Sequence, residues 1–374
     1  MAQAQAAPDP IAAYLQPLID DHTIAGAVTL VADRSSILYV KGIGARDLAS
    51  QAPMPANAMF WIASTSKPMT TTAFMMLVDE GKISLDDPVE KYLPEFKGQK
   101  VRARRDDPNH LVAADHPIRI REILSHTSGL PFKSAAQPGA LDLLPLKDAV
   151  RSFAAEPLLF QPGTAYSYSN EGINTAARIL EVVTGIPYER FMQERLFFPL
   201  GMKDTTFWPD SSQIARIATT YKLDEQAGKL VPVQIEQLTY PLDDRQHRFP
   251  MPAGGLFSTA ADVAKFCQMI LNGGTFNGRR YVSEKAIHEM TTRQNGTTNE
   301  DGYGLGWSVR DGSAGHGGAY KNAMNIDLNT GRILVFMVQQ DGPWGTAKGD
   351  AIVSTLERLA NEVKAAPASG AAAR

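Results

Sequence analysis

The chain is 374 residues long, 44% hydrophobic and 21% charged, which excludes a mainly disordered chain, a coiled coil and a collagen-like repeat. Its 37 Lys and Arg against 40 Asp and Glu leave a formal charge of −3, without the clustered positive excess that nucleic-acid binding calls for. The longest uncharged apolar run falls short of the ~20 residues needed to cross a bilayer, and the one cysteine, Cys267, excludes an internal disulfide and a multi-cysteine metal site.

Residues 1–8 have neither a basic nor an apolar region, so they are not expected to be a signal peptide. Their Ala/Gln-rich character fits a periplasmic or secreted protein whose signal has been removed as well as it fits a cytoplasmic one. Apolar residues at 11, 14, 15, 18 and 19 then predict a helix, although Pro17 removes one backbone donor. Strands are expected over 25–32 and 37–42, joined by the turn residues Asp33-Arg34-Ser35. From about 65 to 290 the chain reads as helices and long loops. Met69, Ala73, Met76 and Leu77 mark one helix face, closed by Gly81. The basic stretch 97–105 reads as a solvated loop. Ile173, Ala176, Ala177 and Leu180 mark a second helix, ended by Gly185 and Pro187, and a third spans about 260–271. Strands return over 303–309, 322–328 and 332–339, the last two joined by Asn329-Thr330-Gly331, before a final helix over about 347–363.

Strands therefore cluster at both ends of the sequence. The simplest architecture is an α/β (α+β) fold in which residues 8–60 and 295–366 share one antiparallel sheet flanked by helices. Residues 61–294 form an inserted, mainly helical domain, and 367–374 a disordered Ala-rich tail.

Several site signatures are absent. The sequence has no H-E-x-x-H, no C-x-x-C and no P-loop, and Asp311-Gly312-Ser313-Ala314-Gly315 misses the G-x-S-x-G elbow by one glycine. An S-x-x-K is present, Ser64-Thr65-Ser66-Lys67, followed by Pro68 where a helix's first turn tolerates it. Spacing of three puts Ser64 and Lys67 on one face, and a desolvated lysine can take the proton of a serine nucleophile. Alone, this pattern fits a helix cap with a solvent-facing lysine better than a catalytic pair.

Further on stand Tyr168-Ser169-Asn170, a Y-x-N, and the glycine-bounded Gly315-His316-Gly317-Gly318-Ala319-Tyr320. With the flanking Phe60-Trp61-Ile62-Ala63, Ser125-His126-Thr127-Ser128-Gly129-Leu130, Pro252-Ala253-Gly254-Gly255-Leu256 and Tyr303-Gly304-Leu305-Gly306-Trp307, the sequence resembles the serine β-lactamase and penicillin-binding-protein superfamily over about 10–360. Its likeness is greatest to family VIII carboxylesterases and class C β-lactamases.

The resemblance implies Ser64 as the acylated nucleophile, Lys67 and Tyr168 as the coupled pair sharing its proton, and Asn170 as the side chain that orients lysine and substrate. His316-Gly317-Gly318 stands where β-lactamases carry K-T-G, and the Ser64 and Ala319 N–H groups would form the oxyanion hole. No metal or cofactor is implied. A phenol with a pKa near 10 needs a nearby cation to act as a base, and Lys67 is expected to supply it. His316, mostly neutral at pH 7, is expected to donate one hydrogen bond to a substrate carboxylate and to gain charge towards pH 6.

These implications favour a serine hydrolase acting through an acyl-enzyme on short-chain carboxylic esters. A β-lactamase, a D-amino-acid peptidase or amidase, an acyltransferase and a non-catalytic binding protein are the alternatives. The expected partner is a small ester or amide substrate. His126 reads as structural, and His110, Asp115 and His116 read as solvent-facing loop residues. Cys267 reads as a small buried hydrophobe, and Met54, Met59, Met69, Met75 and Met76 as adaptable core packing.

Overall fold

A run of apolar residues without polar alternation suits a strand covered on both faces, and Gly26–Ala32 (β1) is buried at all seven positions. In the computed structural model, which describes residues 9–103, 110–136, 139–235, 238, 241–296, 302–342 and 349–364, β1 lies inside an eight-stranded sheet. The other strands are Ile37–Asp47 (β2), Ala52–Pro53 (β3), Gly302–Tyr303 (β4), Ser308–Arg310 (β5), Ser313–Gly317 (β6), Ala323–Asp327 (β7) and Arg332–Met337 (β8). Their spatial order is β4-β5-β6-β7-β8-β1-β2-β3, so the two ends of the sequence meet where β8 pairs antiparallel with β1. The register there is Val28↔Met337, Leu30↔Val335 and Ala32↔Ile333.

Five helices cover the sheet or carry the site: Pro10–Asp20 (α1), Ser66–Asp79 (α2), Asn170–Thr184 (α3), Ala260–Leu271 (α4) and Gly349–Glu362 (α5). Period-two alternation along β1 sends Ala27 and Val31 to one face of the sheet and Val28, Leu30 and Ala32 to the other. On the first face pack α1 and α5, through Ile11, Leu15, Ile352 and Leu356. On the second packs α4, through Val263, Phe266 and the fully buried Cys267. The apolar cluster of that second face continues without a break into Met69, Ala73 and Phe74 of α2 and Ile173 and Ala177 of α3. Helix α2 is consequently buried at every position from Ser66 to Leu77.

The structure departs from the sequence expectation in two strands. The second runs on past 42 to Asp47, pairing with β1 as far as Gly26↔Gly44. The strand expected over 303–309 is a hairpin, because residues 304–307 turn away to pack on α2. Gly304 N–H donates to Trp307 O (2.8 Å), and Gly306, at φ +73°, donates to Leu124 O (2.8 Å). A Cβ at Gly306 would sit 2.0 Å from Thr71 Oγ1, so the turn fits α2 only with glycine there. Of the basic stretch, Lys97 and Lys100 are exposed, while residues 104 and 105 lie outside the described residues, as does the Ala-rich tail.

Candidate active site

Ser64 sits on a single 3-10 turn, Ala63–Thr65, that leads into α2. The residue before it, Ala63, is held at φ +45°, a conformation that costs an L-residue energy and fixes the direction of the turn. Lys67, in the first turn of α2, is fully buried. Its Nζ lies 2.7 Å from Asn170 Oδ1, 2.8 Å from Ala253 O and 3.0 Å from Ser64 Oγ. Ser169 caps α3 by accepting from Gly172 N–H (3.2 Å), which puts Asn170 at the helix start and Tyr168 just before it. Ser64 is close enough to the Tyr168 hydroxyl to affect its titration, and Lys67 Nζ lies 4.6 Å from the centre of the Tyr168 ring.

Proton positions follow from the partners. Asn170 Oδ1 and Ala253 O can only accept, so two N–H bonds of Lys67 are committed to them. The remaining Nζ position faces Ser64 Oγ. Burial holds the Lys67 ammonium well below the usual lysine range, which favours the form whose lone pair can take the Ser64 proton. Burial likewise lifts the Tyr168 phenol above its ordinary value, with Ser64 opposing. Burial disfavours both charged forms, the Lys67 ammonium and the Tyr168 phenolate. Ion-paired and neutral states differ only in where one proton sits, so the two side chains titrate together.

Around this pair lies a buried aromatic cage. The His126 ring is 4.5 Å from Tyr168 and 4.6 Å from Tyr303, centre to centre. His126 brackets Tyr168 along the chain: its carbonyl accepts Ser167 N–H (2.9 Å) and its Nδ1 accepts Ser169 N–H (3.2 Å). Burial first, and then the neighbouring Lys67, keep the imidazole neutral. His126 thus supports the Tyr168 segment and does not touch Ser64.

His316 differs from expectation. Its Nδ1 lies 2.7 Å from Gly317 O, which can only accept, so Nδ1 carries the proton, and Nε2 accepts from the Tyr303 hydroxyl (3.0 Å). No ring N–H is left for a substrate carboxylate. Burial, and then Lys67, push the imidazole pKa down to about 3, so no charge is gained towards pH 6. The reason is the tyrosine: Tyr303 occupies the nitrogen that the motif alone leaves open.

Strand β6 carries Gly317 at its end, and Gly318 follows, pressed against the turn that carries Ser64. A Cβ on Gly318 would lie 2.5 Å from Ile62 O. The same corner is tied by Asn322 Nδ2 donating to Trp61 O (2.9 Å). Ser64 and Ala319 consequently line one cavity of about 310 Å³, with Trp61, Phe132, Leu141, Asn170, Met251 and Gly254 among its other walls. Sequence reasoning missed Ala253 as a partner of Lys67, Tyr303 as the partner of His316, and Met251 as a wall. A main-chain carbonyl leaves no side-chain signature, but the Pro252–Leu256 and Tyr303–Trp307 motifs contain the first two.

The other candidates lie elsewhere. Met54, Met69, Met75 and Met76 belong to the main core, and Met59 to a small cluster with Trp61 and Tyr320. His110 and Asp115 are exposed, whereas His116 is half-buried. Its two ring nitrogens lie 2.9 Å from Pro117 O and 3.1 Å from Pro162 O, so it bridges two loops and does not face solvent as expected. Among the described residues no group of three His, Cys, Asp or Glu side chains is placed to hold a metal ion.

Comparison with known proteins bears on this geometry. The sequence profile of the family described as Beta-lactamase matches residues 11–357. Protein Rv1367c of Mycobacterium tuberculosis is 34% identical over 295 residues, covering 75% of this chain and 70% of that protein. A protein of Escherichia coli K12 named "Putative D-alanyl-D-alanine carboxypeptidase" is 28% identical over 302 residues, covering 75% of this chain and 67% of its own length. Among solved structures, "EstCE1, a hydrolase with promiscuous acyltransferase activity" superposes with a TM-score of 0.77 at 24% identity, covering 92% of this chain and 96% of that one. Simvastatin synthase (LovD) of Aspergillus terreus superposes with a TM-score of 0.78 at 21% identity, covering 95% and 98%. The two superpositions show the fold.

Proposed function

The chain belongs to the beta-lactamase family of serine hydrolases, and we propose that within it the protein is a carboxylesterase acting on short-chain esters through an acyl-enzyme on Ser64. Ser64 Oγ attacks the ester carbonyl as its proton passes to the Lys67 amine, 3.0 Å away. The developing oxyanion is met by the Ser64 and Ala319 N–H groups; one such donor contributes ~2.7–4 kcal/mol. The C–O bond to the alcohol breaks as the proton returns to the leaving oxygen through the Lys67–Tyr168 pair. Water, deprotonated by the same pair, then releases the acid and restores Ser64.

The observation that carries the ester reading is His316, whose two ring nitrogens are both used inside the protein. A penicillin or cephalosporin brings a carboxylate that needs a cation or a donor at that position. A neutral ester brings none. The apolar walls Trp61, Phe132, Leu141 and Met251 suit an alkyl acyl group. The E. coli relative's name supports a second reading, hydrolysis of a D-amino-acid peptide.

One panel separates the two readings: kcat/KM for p-nitrophenyl acetate and butyrate, nitrocefin and a D-Ala-D-Ala peptide. It is run beside fluorophosphonate labelling of the wild type and Ser64→Ala, read by intact mass. The small esters should lead by at least tenfold and the adduct should vanish in Ser64→Ala. Nitrocefin or the peptide matching the best ester overturns the ester reading, and a full-yield adduct in Ser64→Ala overturns the nucleophile.

A further inference from the structure

Two chain segments that supply walls of the cavity, residues 139–142 and 251–254, are held in place by different means. The second is bonded directly to the catalytic helices. Thr70 Oγ1 donates to Pro252 O (2.7 Å), Lys67 Nζ to Ala253 O (2.8 Å), Ala253 N–H to Asn174 Oδ1 (3.0 Å) and Leu256 N–H to Ser66 Oγ (3.3 Å). The first is fastened through Asp142, next to the wall residue Leu141. Arg248 Nε donates to Asp142 Oδ2 at 2.7 Å, with the two side chains only 3% and 2% exposed. Phe249 N–H adds a bond to Asp142 O (2.9 Å).

Arg248 is itself fixed from three directions. Its Nη1 donates to Leu242 O and to Phe207 O, and its carbonyl accepts from Trp208 Nε1 (3.1 Å). Met251, the other wall residue, follows three positions later, and its carbonyl accepts both Gly254 and Gly255 N–H (3.0 and 2.7 Å). A guanidinium held by several acceptors fixes direction as well as distance, which apolar contact does not. Replacing a buried ion pair by apolar residues of similar volume is often neutral or stabilising, so net stability does not account for this one.

We infer that the Asp142–Arg248 ion pair sets the width of the acyl cavity. By positioning Leu141 relative to Met251 it limits the acyl chain length accepted, an inference that rests on the proposed ester reading of this cavity. Asp142 and Arg248 are positioning residues, because neither lines the cavity or touches Ser64. Loosening the pair lets the Leu141 wall retreat. Longer chains then gain, while attack on the carbonyl, organised by α2 and α3, is untouched.

The test measures kcat/KM for p-nitrophenyl acetate, butyrate, hexanoate and octanoate with the wild type, Asp142→Asn, Arg248→Lys and Leu141→Ala. Asp142→Asn and Arg248→Lys should raise the octanoate-to-acetate ratio about tenfold, the low end of what one methylene of pocket fit is worth. The change should fall in KM, with kcat for acetate within about twofold of wild type. A purely structural role would lower all four esters alike. Leu141→Ala keeps the ion pair and should shift the ratio in the same direction, so it decides the matter if the other two variants do not fold. An unchanged ratio in folded Asp142→Asn and Arg248→Lys overturns the inference, as does an unchanged ratio in Leu141→Ala should those not fold. A wild type inert to every ester and unlabelled by fluorophosphonate overturns the ester reading first, and this inference with it.

Discussion

At Lys67 three oxygens surround one nitrogen, and two of them can only accept, which leaves the third Nζ position for Ser64. In the proposed mechanism Tyr168 completes the path to the leaving group. Tyr168→Phe should lower kcat by ~10²–10⁴-fold, the usual contribution of a general acid–base group, while moving KM much less; ester kinetics check this directly. His316 yields a pH prediction. With its imidazole charging only near pH 3, the ratio of nitrocefin to ester kcat/KM should stay flat, within about twofold, from pH 5.5 to 8. A ratio that climbs towards pH 6 would show that the His316–Tyr303 bond is broken in solution.

Glu171 carries a second pH signal. It is fully buried in the first turn of α3, both carboxyl oxygens lack a partner among the described residues, and burial followed by nearby Glu156 raises its pKa from 4.5 to about 9. Between those values the folded protein keeps a proton that the unfolded chain has lost. Stability from this group therefore falls as pH rises, by ~1.4 kcal/mol per unit. Glu171→Gln removes the slope, so its gain in Tm over wild type should widen from pH 5 to pH 8. The comparison cancels the opposite contributions of Lys67, His126 and His316. Parallel melting curves at the two pH values would contradict it.

Among the elements, the turn between β4 and β5 shows where packing overrules pattern. Residues 303–309 alternate as a strand should, yet Gly306 turns to meet Thr71 of α2. Gly306→Ala should cost ~1–3 kcal/mol through overpacking and the positive φ. Thr71→Ala removes the opposing hydroxyl, itself unpartnered among the described residues, and should recover part of that loss in the double variant, read by urea denaturation. The buried strands, the three helices and the S-x-x-K, Y-x-N and H-G-G motifs were legible in the sequence because each depends on neighbours in the chain. The Ala253 carbonyl, the Tyr303–His316 bond and the Asp142–Arg248 pair were not. Each joins segments distant in sequence, and neither a carbonyl nor an isolated Asp or Arg announces its partner. The hydrogen bond from Tyr303 also explains why His316 could be placed on its strand but not assigned its donor.

Across the whole molecule, one apolar cluster joins β1, β7 and β8 of the sheet to α2, α3 and α4. A helical region with its own core could unfold by itself; this one shares the core of the sheet. Urea unfolding followed by tryptophan fluorescence, with Trp61 and Trp307 both buried, should coincide with the far-UV circular dichroism transition. Two separated midpoints would show that the helical region melts independently.

The pairing of β1 with β8 also bears on how the chain is made. Val28 leaves the ribosome about 309 residues ahead of its partner Met337. At 5–20 residues per second the wait is ~15–60 s. Throughout it, a seven-residue strand destined for complete burial has one unsatisfied edge and the N-terminal helix as its cover. Contacts this distant in sequence form late, and an apolar edge left open is a template for pairing with other nascent chains. The biosynthetic hazard of this fold lies at β1, and β8 relieves it.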